Sequence, residues 1–245
     1  MSDRKILSFS YTYTFEDASE KRFDVSLDYA TLDMVCEPRD ELPEWTRLDF
    51  HQCDNCPLSP ATHPRCPVAV NLVELIEYFR NHTSFDEVDV RVDAKNRHYH
   101  SHTSMQRGVG ALFGLVMVTS GCPIMNRMRP MVDTHLPFMT LEESTYRLIS
   151  MYLTAQYFLH KRGDEADFNL QGLVDFLKET HQVNVGFTQR LRSIRVRDAS
   201  LNAIVNLNTS SDFISIAMQS NWLDRFESIF LNHAGWGTPL PKRDA

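Results

Sequence analysis

Four of the five cysteines place the tightest constraint on how this chain can fold. Cys53 and Cys56 form a C-x-x-C pair, Cys66 follows shortly after, and Cys122 stands alone downstream. Cys56, Cys66 and Cys122 are each followed by proline, which stiffens the backbone just past the thiol and removes a competing amide donor. A C-x-x-C pair on a tight loop presents two thiolates to one tetrahedral ion, and two further ligands close the site. If Cys53, Cys56, Cys66 and Cys122 share one ion, an N-terminal half is tied to a helical half. His63 is nearer in sequence than Cys122 and is the runner-up fourth ligand, in a site of three cysteines and one histidine. Cys36 has no partner motif and reads as packing. Zinc is favoured because a structural role needs no redox chemistry. An iron–sulfur cluster stays open, because cysteine before proline also occurs around clusters. A Cys53–Cys56 redox pair is a third option, weakened by Cys66 standing so near. Against all of these stands the plain reading of four unrelated buried thiols.

At 245 residues the chain can bury a sizeable core in one large domain or two small ones. Its net charge of −7 argues against non-specific nucleic-acid binding, which needs a basic footprint. The longest apolar run, Val109 to Val118, is broken by Gly110 and Gly114 and falls short of the roughly 18 residues of a membrane span. The first residues lead into a strand-like pattern instead of a signal-peptide core, so a cytoplasmic protein is expected, where clustered thiols favour metal over disulfide.

Three stretches follow along the chain. Residues 1–50 read as β: Leu7, Phe9, Tyr11, Tyr13 and Phe15 alternate with Ser8, Ser10, Thr12 and Thr14. Phe23, Val25, Leu27 and Tyr29 repeat the pattern after a polar hairpin loop at Glu16–Lys21, and the acidic positions of this stretch read as a solvated sheet face. Residues 51–138 hold the cysteine loop, a helix near Ala69–Asn81, a strand at Val88–Val92, a turn at Asp93–Asn96, a returning strand at Arg97–Thr103 and a buried helix at Gly108–Ser120. Residues 139–235 read as helical. Thr140 and Glu143 form a capping box for a helix ending at Lys161–Arg162 before Gly163, with further helices at Leu170–Thr180, Thr188–Arg195 and Asp212–Leu231. Residues 236–245 form a tail. The fold class expected is α+β, an N-terminal antiparallel β part and a helical C-terminal part joined by the cysteine loop in one integrated domain.

Two further clusters bear on chemistry. On a strand His98, His100 and His102 share one face, and imidazoles there form a weak second metal site. At roughly 3.3 Å per residue, i and i+4 lie about 13 Å apart, so a pair is the more natural unit. The opposing reading is an exposed polar face. In the loop at residues 126–138, Arg127 or Arg129 could grip a carboxylate or phosphate, and Asp133 with His135 could serve acid–base chemistry. The opposing reading there is a connecting loop pinned by Pro130 and Pro137. Met125, Met128 and Met131 read as core filling or a soft contact surface. Arg190, Arg192, Arg195 and Arg197 form a basic cluster whose expected role is pairing with the acidic sheet, with RNA or phosphate binding as the alternative. No Gly-rich phosphate loop, G-x-S-x-G or H-E-x-x-H is present.

The segments Cys-Asp-Asn-Cys-Pro-Leu (53–58), Cys-Pro-Val-Ala-Val-Asn-Leu (66–72), Ser-Gly-Cys-Pro (120–123), Arg-Pro-Met (129–131) and His-Leu-Pro-Phe (135–138) resemble a bacterial family that is a domain of unknown function. The resemblance covers roughly residues 45–160. It implies a bacterial source, supports the four cysteines as one set and carries over no activity.

Two function classes remain open from the sequence. One is a zinc-stabilised binding or regulatory protein with a structural site of four cysteine ligands and another protein as partner. The other is a metal-dependent enzyme using the histidine strand and the Arg127–His135 loop, and the stoichiometry of bound metal separates them.

Overall fold

The computed structural model describes residues 5–36, 39, 41–194, 197–207 and 222–233. Strands β1 (Ile6–Thr14) and β2 (Glu20–Asp28) pair antiparallel in register from Ile6↔Asp28 to Thr14↔Glu20. The turn between them closes through the Phe15 amide donating to the Ser19 carbonyl, with Ala18 in the left-handed region. Strand β1 then pairs on its other side with β3 (Glu87–Ala94), which pairs with β4 (Arg97–Ser104). The sheet order is β2-β1-β3-β4, so strands from the first and middle stretches of the chain form one sheet. The period-two pattern is obeyed: Leu7, Phe9, Tyr11, Tyr13, Phe23, Val25, Leu27, Val88, Val90 and Val92 are all buried. Tyr29 breaks the expected run. It lies past the end of β2, is 45% exposed, and has the Lys5 ammonium over its ring.

Helices α1 (Pro67–Phe79) and α2 (Met105–Thr119) cover the apolar face of this sheet. Phe79 of α1 packs edge-on against Tyr13, and α2 sits over β3 and β4. Burial of Tyr11 and Tyr13 demands hydrogen-bond partners for their hydroxyls. Tyr13 donates to the Gly108 carbonyl of α2 at 3.0 Å, and Tyr11 reaches His135 at 2.6 Å. Gly108 marks where helix and sheet touch: a Cβ there would stand 2.9 Å from Val90 Cγ2.

A 3-10 segment, Met125–Thr134, follows α2 and leads to α3 (Leu141–Arg162). The expected capping box is formed, with Glu143 N–H donating to Thr140 Oγ1 and the Thr140 amide donating to the Glu143 carboxylate. Gly163 ends α3 in the left-handed conformation at φ 84°. The two helices expected at 170–180 and 188–195 are one continuous helix, α4 (Gln171–Ser193). Val183, Asn184, Val185 and Gly186 are poor helix formers, which is why the sequence suggests a break. Tertiary packing overrides that preference, because Val183, Gly186, Phe187 and Arg190 lie at helical spacing on one face turned to the cysteine loop. Helix α5 (198–207) follows, with the Asp198 carboxylate accepting from the Ser84 amide and hydroxyl. Helix α6 spans Trp222–His233. The part of the expected last helix before residue 222, Arg195 and the tail at 236–245 lie outside the described residues.

The architecture is α+β, an antiparallel sheet followed by a mostly helical C-terminal part. Among the described residues, no helix is long and apolar enough to cross a membrane. One substitution tests the tightness of the helix–sheet contact. Ala is favoured over Gly inside a helix by about 0.5–1 kcal/mol, whereas overpacking costs typically about 1–3 kcal/mol. Gly108→Ala should therefore lower stability in denaturant unfolding; a gain would show slack between α2 and β3.

Candidate metal centre and neighbouring polar groups

The cysteine loop is held in place by one buried cation. Arg190 of α4 is 1% exposed, and its guanidinium donates to the backbone carbonyls of Trp45 (2.5 Å), Arg47 (2.7 Å), Leu48 (3.4 Å) and His51 (3.4 Å). Its expected role, pairing with the acidic sheet, is thus corrected: Asp24 pairs with Arg22 and Asp93 with Arg91 and His98, and Arg190 organises the loop ahead of Cys53. Arg192 is exposed, and Arg197 donates its amide to the Arg80 carbonyl. The sequence signal for Arg190 was available as a lone charge in the apolar stripe of Val183, Phe187 and Leu191.

The four cysteines reach the same place from three parts of the chain. Cys53 lies against α4, where a Cβ on Gly186 would stand 2.8 Å from its Sγ, and its thiol faces the Val183 carbonyl. Cys56 closes a turn by donating its amide to the Cys53 carbonyl at 3.0 Å. Asn55 between them ties the loop to α4 through the Glu179 carbonyl at 2.9 Å. Cys66 caps the N-terminus of α1 and donates its amide to the Thr46 carbonyl. Cys122 follows α2 directly, after Gly121 at φ 97°. Cys53, Cys56, Cys66, Cys122 and Arg190 together line a cavity of about 20 Å³. Burial, followed by its three sister thiols, pushes the Cys53 thiol up to about 12, and burial also raises Cys122. Burial pulls the Arg190 guanidinium down from its usual range, opposed by Cys66, Cys53 and Cys56.

All five cysteines are free thiols. Among the described residues, no three His, Cys, Asp or Glu side chains stand in ligating geometry. The four thiols thus share one cavity without converging on a common centre. His63 is exposed, bonds Thr62, and does not line this cavity. Cys36, read from sequence as packing, is instead exposed, with its thiol on Asn71 Oδ1.

His98, His100 and His102 do share one face of β4, and each meets a carboxylate of β3. His98 pairs with Asp93 (2.5 Å), His100 with Asp89 (3.0 Å), and His102 with Asp89 (3.2 Å) and Glu87 (3.4 Å). Sequence reasoning missed these carboxylates, although the register placing Asp93 opposite His98 and Asp89 opposite His102 follows from the hairpin turn.

The loop candidates are not brought together into one site. Arg127 pairs with Glu179 of α4 and stacks over Phe176. Arg129 binds Asp33 and the Thr31 carbonyl, and Asp133 binds Lys95 at 2.6 Å. His135 is turned inward onto Tyr11 and Phe9, and burial lowers its pKa to about 4, so it is a neutral imidazole at neutral pH. Met125, Met128 and Met131 line a separate, partly open cavity of about 290 Å³ together with His135; Met125 is buried, and Met128 and Met131 are half-buried.

Residues 9–231 match the model of a family described as a domain of unknown function, DUF6901, and the chain belongs to that family. No curated protein and no solved structure matches the chain.

Two outcomes are expected from these contacts. Arg190→Met leaves buried carbonyls without donors and should cost about 3 kcal/mol or more in equilibrium unfolding. Arg190→Lys, with one compact ammonium in place of a planar fork, should recover only part of that. The pKa of His102 is raised by its bond to Asp89, so its stabilising contribution is complete below about pH 6.5 and is lost as pH rises through the folded value. His102→Gln should flatten the pH dependence of stability in that window.

Proposed function

We propose that this member of DUF6901 is a metal-stabilised binding or regulatory module, with one zinc ion held by Cys53, Cys56, Cys66 and Cys122. The observation that supports the reading is the small cavity lined by those four thiols and the buried guanidinium of Arg190. A cavity of about 20 Å³ suits a single ion better than the several atoms of an iron–sulfur cluster. Zinc with four thiolates carries a formal charge of −2, and a fixed cation beside it offsets part of the cost of burying that charge. Binding then displaces the thiol protons, so affinity should rise with pH.

The zinc would be structural, since four sulfur ligands leave no open position for a substrate. The enzyme reading has less support. Arg127, Arg129 and Asp133 are consumed by ion pairs, and the histidines of β4 by the carboxylates of β3. Free thiols fit a reducing, cytoplasmic setting. A protein partner would meet the face of the sheet opposite α1 and α2, where Asp89, Arg91, Asp93 and the three histidines stand exposed or half-buried.

Elemental analysis of the purified chain should find one zinc. Cys66→Ala and Cys122→Ser should each lose it and lower the melting temperature, because for a closed structural site binding free energy is folding free energy. His63→Ala should keep both metal and stability. Full zinc content in Cys66→Ala would overturn the assignment. A second equivalent lost on replacing His98, His100 and His102 by Gln would restore the enzyme reading.

A further inference from the structure

The cavity of about 290 Å³ lies between α2, the 3-10 segment, α3, α4 and α5, away from the cysteines. Its size is at the lower end of small-molecule sites. The walls are mainly apolar and soft, with Met125, Met128, Met131 and Phe138 prominent. No Asp or Glu among the described residues lines it, whereas Arg107 and Arg147 both do.

Two polar groups in this wall are left without partners. Asn184 on α4 is 1% exposed, and its Oδ1 is buried with nothing to accept from. Buried polar atoms are rarely left so, because an unmade hydrogen bond costs about 1–3 kcal/mol. Arg147 on α3 spends its Nη2 on the neutral oxygens of Met131, Thr134 and the Thr134 hydroxyl, while its Nε is buried and unbonded. Glu143 is one turn away but its carboxylate is taken by the Thr140 amide. Glu143 still attracts Arg147 through space, but a guanidinium whose hydrogen-bond partners are all neutral, lining an apolar chamber, is complementary to an anion attached to an apolar body. Asn184 lines the same chamber with its unpaired Oδ1 closed off from it, so a turn of the side-chain amide would offer that acceptor to one donor on the body.

We propose that this cavity binds a small carboxylate with an apolar body, its carboxylate held by Arg147 and a hydroxyl or amide N–H on the body held by Asn184. The inference rests on the binding-module reading but not on the metal, and its test leaves zinc content as a separate readout.

Calorimetric titration of the full chain as purified with octanoate, 3-hydroxyoctanoate, octan-1-ol and octylammonium tests it. Octanoate should bind, 3-hydroxyoctanoate should bind more tightly, and the alcohol and the cation should bind at least tenfold more weakly than octanoate. Arg147→Met should weaken both acids at least tenfold, whereas Asn184→Leu should erase only the preference for the hydroxy acid. Because Arg147 also ties down the Met131 and Thr134 carbonyls, a filling variant guards against misfolding. Gly114 lines the chamber, and a Cβ there would find its nearest neighbour, Leu207 Cδ2, at 3.7 Å. Gly114→Leu should fold, with a melting temperature close to that of the parent chain, and lose octanoate binding. Octanol binding as tightly as octanoate, or octanoate binding unchanged in Gly114→Leu, would overturn the proposal.

Discussion

The four-carbonyl grip of Arg190 is the contact on which the middle of this protein depends. Residues 45–51 form no long helix or strand of their own, so their carbonyls need donors from elsewhere once buried. One guanidinium supplies them, and it does so from a helix that begins far downstream. The same helical face carries Gly186, whose lack of a side chain lets Cys53 approach, and Val183 and Phe187, which close the cavity wall. Position and chemistry are thus set by a single stripe of α4. The cation fixes the loop's path, the glycine fixes its distance, and the two apolar residues exclude water.

The sheet and the helices are joined by a different device. Tyr11 and Tyr13 are large enough to fill the space beneath α2, yet each carries a hydroxyl that must be bonded inside. Tyr13 spends its hydroxyl on Gly108, and Tyr11 spends its own on His135. This is why His135 is a neutral structural partner of the sheet and not the base suggested by its neighbour Asp133. Its imidazole couples the 3-10 segment to β1, while Arg129 and Lys95 secure the same segment from outside.

Much of the fold could be read from local patterns. The alternating residues of β1 and β3, the Thr140–Glu143 capping box and the Gly163 stop each encode one element within a few residues, and each is formed. What could not be read depends on distant partners. The continuity of α4 through Val183–Gly186 is decided by packing against Cys53, not by propensity. A lone charge in an apolar stripe marks Arg190 in the sequence, but the carbonyls it binds carry no sequence signature. For the site, the grouping of Cys53, Cys56, Cys66 and Cys122 around one cavity follows the motif spacing. The fate of the histidines did not, because their carboxylates lie on the neighbouring strand and are visible only once the register is known. The larger chamber was illegible for the same reason: Asn184 and Arg147 look like ordinary helix residues until the fold brings both to one cavity.

The sheet order has a consequence for how the molecule is made. Strand β1 pairs with β2 at once, but its other edge waits for β3, and the cysteine loop and α1 are synthesised in between. That free edge is exposed on the nascent chain while three of the four clustered thiols emerge, and the chain is well into α4 before Arg190 arrives to lock the loop. Pairing across such separations closes slowly, because loop entropy must be overcome before contacts reward it. The half-made protein therefore presents an unpaired strand edge and uncovered cysteines at the same moment. Cys53 stays uncovered until α4 closes over it.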